Sequence, residues 1–319
     1  IFGSQDLERI IEYVKPYQLI FIDEAQKIPN IGIGLKLIVD QVPGIKVIAT
    51  GSSSFELAGQ IGEPLTGRKS TLHLFPISHI ELQKMYNKYD LEYKIEEYLI
   101  YGKYPEVVAA GTAGEKRSIL DEITGSYLLK DILEIEKVKN SKLLLNLLRL
   151  LAFQIGSEVS LSEIARQLGI DVKTVARYLD LLEKAFVIYN LRGFSKNLRK
   201  EMTKKSKYYF YDTGIRNAII ANFNDLELRN DVGSLWENFL VMERLKKQAY
   251  HNIYANNYFW RTWDQKEIDF VEEREGKLFG YEFKWNENKK VKTPKEWLEA
   301  YPESEFICID RKNYLDFIT

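Results

Sequence analysis

Apolar residues recur along this chain with two different periods, and the period changes from region to region. Residues 5–14 carry the three-to-four spacing of an amphipathic helix. Tyr17-Gln18-Leu19-Ile20-Phe21-Ile22 is instead a continuous run that ends in Asp23-Glu24, which reads as a buried strand of a parallel sheet. A helical stretch over about 31–41 follows. Then comes a second buried strand, Ile45-Lys46-Val47-Ile48-Ala49-Thr50, leading into Gly51-Ser52-Ser53-Ser54. Thr71-Leu72-His73-Leu74-Phe75 is a third apolar run in the same alternation. Strands alternating with helices predict an α/β parallel sheet.

From about 78 to 157 the pattern is helical, with Tyr and Leu at three-to-four spacing. Residues 158–212 predict two short helices and then two β-rich runs around a basic loop. Ser160-Leu161-Ser162-Glu163 is a capping-box-like start, and Gly169 a stop. Asp171 caps the next helix, whose positions 172, 175, 179 and 182 form one apolar face, with Lys173, Thr174, Arg177 and Tyr178 off it. From 231 the pattern predicts a long helix, strands near 253–260, 266–273 and 277–285, a helix over 294–301 and a last strand over 304–310.

Composition narrows the choices. The 319 residues suffice for two or three domains, and 45% hydrophobic with 29% charged is an ordinary globular balance. A net charge of −1 excludes a global basic field, so any nucleic-acid contact must come from local patches. The single cysteine, Cys308, rules out an internal disulfide and fits a reducing, cytoplasmic setting. No run reaches the roughly 20 apolar residues of a membrane span. The chain begins at Ile1 and its first strong strand is already a second-half motif, so it reads as part of a longer protein.

Phe21-Ile22-Asp23-Glu24, a strand ending in two acids, matches a Walker B pattern. With Ala49-Thr50-Gly51-Ser52-Ser53-Ser54, Leu65-Thr66-Gly67-Arg68 and Phe75-Pro76-Ile77-Ser78 following in order, the chain resembles the AAA-type P-loop ATPases of bacteria and archaea that carry a winged helix and a nuclease-like tail. That resemblance implies that Asp23 holds Mg²⁺ and that Glu24 orients the attacking water. It also implies that Ser52 and Ser53 reach the nucleotide and that Arg68 sits near it as a finger or sensor. Gly62-Glu63-Pro64-Leu65-Thr66-Gly67-Arg68-Lys69-Ser70 imitates the phosphate loop, but it has Arg where Lys belongs and leads into an apolar run rather than a helix. The phosphate cradle is therefore expected outside this chain.

The helix-turn-helix spacing with a basic loop resembles a winged helix. Lys173 and Arg177 on the second helix, with Lys200, Lys204 and Lys205 in the loop, would meet DNA phosphates. Winged helices also serve as rigid lids and protein-docking modules, and both uses stay open.

The tail carries Glu237 on a helix, then Asp269 in Glu267-Ile268-Asp269-Phe270, then Glu282-Phe283-Lys284, which resembles the PD-(D/E)xK nuclease core. A two-residue turn at Glu275-Gly276 places Asp269 opposite Glu282 and Glu267 opposite Lys284. Period-2 alternation then predicts Glu267, Asp269, Glu282 and Lys284 on one face and Ile268, Phe270, Tyr281, Phe283 and Trp285 on the other. Opposed carboxylates repel, and a divalent cation, Mg²⁺ or Mn²⁺, on Glu237, Asp269 and Glu282 would remove that cost. Lys284 would then activate or position water. His73, His79 and His251 are expected to be ordinary surface or strand histidines, and Trp260 to pack beside the hairpin.

The expectation is an α/β multidomain chain. Residues 1–85 would be the latter part of an ATPase domain, 86–157 a helical connector, 158–215 a winged helix and 216–319 a restriction-endonuclease-like domain. Its longer form would bind and hydrolyse ATP with Mg²⁺ and carry a DNA-binding or nuclease-like module. The alternative is a non-catalytic ATP-dependent switch whose winged helix and tail bind DNA, a protein partner or a second copy.

Overall fold

The computed structural model describes residues 1–4, 6–51, 65, 67–128, 141–194, 206–262, 264–287 and 291–319. They divide into two compact units, one built on Ile1–Leu74 and the other holding most of the chain from Phe75 onward.

The first unit is a β-α-β arrangement preceded by a helix. Helix α1 (Leu7–Val14) starts where the Asp6 carboxylate accepts the Arg9 N–H at 3.2 Å. Strand β1 (Leu19–Ile22), helix α2 (Ile31–Gln41) and strand β2 (Lys46–Ala49) follow. The strands are parallel, with Leu19 against Lys46 and Ile22 against Ala49. Ile10, Val14 and Ile38 pack on Ile20 and Val47, and Ile31 and Leu35 on Ile22 and Ala49, so both helices cover the same face. The other face leaves Leu19, Phe21 and Ile48 exposed among the described residues. The expectation of strands buried on both faces is therefore met on one face only. The third apolar run forms no strand: Leu72 and Leu74 are 92% and 98% exposed. Propensity alone does not hold a strand, and none among the described residues pairs with this run.

The second unit opens with short helices: α3 (His79–Leu82), α4 (Lys88–Tyr93), α5 (Ile95–Tyr101), α6 (Pro105–Ala109) and α7 (Ala113–Glu122), then α8 (Ser141–Phe153). Capping boxes at Ser78/Glu81 and Thr112/Glu115 start α3 and α7. A seven-stranded sheet follows, in the order β3 (Glu158–Val159), β5 (Ser206–Phe210), β4 (Ile188–Gly193), β6 (Asn256–Arg261), β7 (Glu267–Arg274), β8 (Lys277–Phe283), β9 (Glu305–Ile309). Pairs β4–β6 and β8–β9 are parallel and the others antiparallel.

Between β3 and β4 lie α9 (Leu161–Leu168) and α10 (Val172–Lys184). Gly169 ends α9 at φ 67°, and Asp171 accepts the Thr174 N–H at 2.9 Å, as the pattern predicts. Val175, Leu179 and Leu182 are buried, but Val172 is exposed and Tyr178 is buried, the reverse of expectation for both. Tyr178 follows Val175 by three positions, so the buried stripe is wider than the strict apolar pattern.

Helices α11 (Thr213–Ile219) and α12 (Val232–Tyr250) precede β6. One core joins α5 and α12 to one sheet face through Leu99, Tyr209, Trp236, Phe239, Phe270, Tyr281 and Phe283. A smaller core on the other face gathers Trp260, Ile268 and Val271 around Trp297 of α13 (Lys295–Ala300). Helix α14 (Tyr314–Ile318) closes the chain against the first of these cores.

The β7–β8 hairpin has the predicted register, with Phe270 opposite Tyr281 and Arg274 opposite Lys277. Glu275 and Gly276 both have positive φ, 54° and 75°, as a two-residue turn of this twist requires. One departure matters. Asp269 and Phe270 together oppose Phe259, a β-bulge between the Tyr258–Val271 and Trp260–Ile268 pairs. It moves Ile268 to the α13 face beside Val271, away from Phe270, which corrects the predicted face of Ile268.

Candidate functional site

At the ends of β1 and β2 the chain places Asp23, Glu24 and Thr50 together. The Thr50 hydroxyl donates to Asp23 Oδ1 at 2.5 Å and accepts the Glu24 N–H at 3.2 Å. The Ala25 N–H donates to the Thr50 carbonyl at 2.8 Å, which locks the turn after β1 to the end of β2. Glu24 adopts φ 50°, and its carboxylate turns onto the Gln26 amide at 2.6 Å and Lys27 at 3.4 Å. Arg68 does not join these acids: its guanidinium pairs with Asp40 near the end of α2. Ser52 and Ser53 lie outside the described residues.

In the second unit, the bulge and the end of the hairpin gather a different set. Glu237 of α12 accepts at one oxygen, Oε1, from Lys207 Nζ at 2.9 Å and from the Tyr209 hydroxyl at 2.6 Å. Lys207 also pairs with Glu267. Asp269 Oδ2 accepts the Phe283 N–H at 2.8 Å, and Lys284 Nζ donates to Glu282 Oε1 at 2.5 Å. Arg261 lies 3.5 Å from Glu267. Glu282 Oε2 is buried and finds no hydrogen-bond partner among the described residues. Gly156, at φ 74°, comes so close that an added Cβ would stand 3.0 Å from Glu237 Oε2.

The electrostatics show that these groups act on one another. Burial pushes the Glu237 carboxyl up to about 7, against the pull of the Lys207 ammonium, and the charge of Asp269 adds to the rise. Burial likewise raises Asp269 and Glu282, and the Asp269 charge adds to the rise at Glu282. Burial would lower Lys207, but Glu237, Asp269 and Glu267 outweigh it and hold the ammonium charged. The same contest, with Asp269 and Glu282 as the acids, keeps Lys284 above its ordinary range.

Glu237, Asp269, Glu282 and Lys284, all expected from the motif order, come to one neighbourhood. The expected Glu267–Lys284 opposition does not form, because the paired register ends at Phe270 and the bulge turns Glu267 toward Lys207. Nor are the acids arranged for a metal ion. Carboxylates are the donors that Mg²⁺ or Mn²⁺ takes, but no group of three or more His, Cys, Asp or Glu among the described residues is placed to hold one. Lys207 stands among them instead, so the residues as arranged do not fit the metal.

Lys207 and Tyr209 were not expected here, because Lys207 sits in a basic stretch that reads as a solvated loop. The signal was Lys207-Tyr208-Tyr209-Phe210, a strand too apolar for its one lysine to be solvated. His79 is also not the surface histidine expected. It is fully buried, with Nδ1 2.8 Å from Lys103 Nζ and its backbone N–H donating to Glu243 Oε2 at 2.6 Å. Lys103 and Lys246 each lie 2.7 Å from Glu243 Oε1 and hold that carboxyl well below its usual range. Burial and the Lys103 charge bring His79 down to about 4.

Lys173 and Arg177 are exposed on α10, Arg177 lying over the Tyr178 ring at 5.4 Å. Lys200, Lys204 and Lys205 lie outside the described residues. No helix among the described residues is long and apolar enough to cross a membrane.

Residues 3–83 match a family model described as an AAA domain. Residues 92–226 and 232–315 match two domains of unknown function, DUF8612 and DUF4143. An uncharacterized protein of Mycobacterium tuberculosis is 28% identical over 269 residues, covering 83% of this chain and 58% of the relative. The chain thus spans little more than half the length of the mycobacterial relatives it matches. An uncharacterized protein of Haemophilus influenzae is 27% identical over 287 residues, covering 84% of this chain and 67% of its own. One of Methanocaldococcus jannaschii is 25% identical over 324 residues, covering 96% of this chain and 70% of its own. No solved structure matches the chain.

Proposed function

We propose that this chain belongs to an ATP-dependent molecular switch of AAA type, whose winged helix and nuclease-like tail bind DNA or a protein partner. The observation that supports it is the Asp23–Thr50 hydrogen bond at the ends of two adjacent parallel strands, within the segment that matches an AAA domain. The carboxyl ends of parallel strands are where an α/β sheet receives phosphate. There Asp23 would hold Mg²⁺ through water, with Thr50 fixing its carboxylate. Glu24, released from Gln26 and Lys27, would orient the attacking water. The bound ion would supply charge neutralisation at the phosphates. Arg68, engaged by Asp40, would have to leave that pair to reach a nucleotide.

The strand order β3-β5-β4 with α9 and α10 supports the winged helix, and α12 with the β7–β8 hairpin supports the restriction-endonuclease-like tail. Binding is favoured over cleavage for the tail by the Lys207 ion pairs. The test uses a form extended toward its N-terminus to include a G-x-x-x-x-G-K-[ST] loop. That form should bind ATP, and Glu24→Gln in it should retain ATP while hydrolysis stops. Undiminished turnover in Glu24→Gln would overturn the assignment of Glu24.

A further inference from the structure

The C-terminal acid cluster already contains a cation. Lys207 is an interior residue of the sheet, its strand flanked by β3 and β4, with Glu158 opposite it on one side and Leu191 on the other. Its side chain is 1% exposed, and its ammonium sits on Glu237 and Glu267. The ring of Phe259, 5.4 Å away, covers it from another side.

A divalent ion in this place would need free carboxylate oxygens at roughly 2.0–2.2 Å. Each of the three acids has one oxygen engaged, and Glu282 Oε2 alone is buried without a hydrogen-bond partner among the described residues, too little for an ion that needs several free donors. Glu237 Oε1 accepts from both Lys207 and Tyr209, Asp269 Oδ2 accepts a backbone N–H, and Glu282 Oε1 accepts from Lys284. An incoming ion would also meet the charge of a buried ammonium in a medium that screens poorly. Since the backbone of Lys207 is fixed by ladders on both sides, the ammonium can leave only by swinging its stem out of a closed space.

We propose that Lys207 is the resident counter-ion of this carboxylate cluster, taking the position a divalent cation would need and keeping the cluster closed to Mg²⁺ and Mn²⁺. The tail is then a nuclease-like fold whose acids are neutralised from within, and removal of one positive charge converts it into a cation site. This rests on the second unit alone and is independent of whether the AAA segment uses ATP.

The experiment is Mn²⁺ binding, by electron paramagnetic resonance of the free ion and by thermal unfolding, on this chain and on Lys207→Met. Methionine keeps the stem and removes the charge. The unsubstituted chain should give the same melting temperature with and without millimolar Mn²⁺, and Asp269→Asn should not change its Mn²⁺ uptake. Lys207→Met should gain a melting-temperature rise of a few degrees with Mn²⁺, because a ligand of the folded state alone stabilises it. Adding Asp269→Asn should abolish that rise. Should Lys207→Met fail to fold alone, its folding in millimolar Mn²⁺ supports the proposal, and failure in Mn²⁺ overturns it. A folded Lys207→Met indifferent to Mn²⁺ overturns it. So does Mn²⁺ uptake by the unsubstituted chain that Asp269→Asn removes.

Discussion

A carboxylate taken out of water survives as an ion only beside donors that replace the water, and this chain meets that need several times in its second unit. Glu272 is the simplest case. It is fully buried, takes both Arg244 nitrogens in a forked pair, and also accepts from Gln248 at 2.8 Å. Glu272→Ala would leave the Arg244 guanidinium buried with only the Phe317 carbonyl at 2.8 Å. The expected loss is about 3–5 kcal/mol in urea denaturation, the cost of stranding one member of a buried pair. His79 makes the opposite kind of demand. Its Nδ1 takes a hydrogen bond from Lys103, which requires a neutral ring, and Lys246, Asp212 and Tyr98 surround the same cluster. The ring takes up a proton at about 4 in the fold against 6.5 in the unfolded chain. Between those values the unfolded chain binds more protons, so its share of stability is whole above 6.5 and drains away as pH falls toward 4. Urea titrations at pH 7 and pH 5 should differ in that direction. The His79 ring signals should stay those of a neutral imidazole at pH 5, and a protonated ring there would contradict the assignment.

At the scale of elements, α10 offers a direct test of nucleic-acid contact. Lys173 and Arg177 share its exposed side, one turn apart. If that side meets duplex DNA, replacing both with Ala should weaken binding to unrelated sequences alike. It should also flatten the salt slope by about 0.9 for each phosphate no longer neutralised. An unchanged slope would place any DNA on another surface. The elements themselves were mostly legible in the sequence. The α2 boundaries, the Gly169 stop, the Asp171 cap and the hairpin register all follow from local rules that need no tertiary knowledge. What local rules missed was set by neighbours distant in sequence. The apolar run at 71–75 has the composition of a strand and no partner strand to pair with among the described residues. The bulge at Asp269-Phe270 is visible only against β6, and it decides which way Ile268 and Glu267 turn. Four members of the acid cluster could be named from motif order. Lys207 could not, because its burial depends on α12 and on β3 and β4 closing around it.

At the scale of the whole molecule, the two units are separate: the AAA-domain match lies almost wholly in the first, and the seven-stranded sheet in the second. Within the second, the strands of the helix-turn-helix region and those of the tail are one sheet. Arg192 and Gly193 of β4 pair in parallel with Tyr258 and Phe259 of β6, and Phe194 extends the ladder with an N–H to the Phe259 carbonyl. A continuous sheet has no seam at which evolution or an engineer can cut. A chimera that exchanged tails between relatives at about residue 216 would strip β4 and β6 of each other. Each half would then present a row of bare N–H and C=O groups, the template on which strands of neighbouring copies add. Helix α10, which leads into β4, and the acid cluster at the end of β7 and β8 therefore rest on one and the same sheet, and an exchange that breaks the β4–β6 pair removes the support of both.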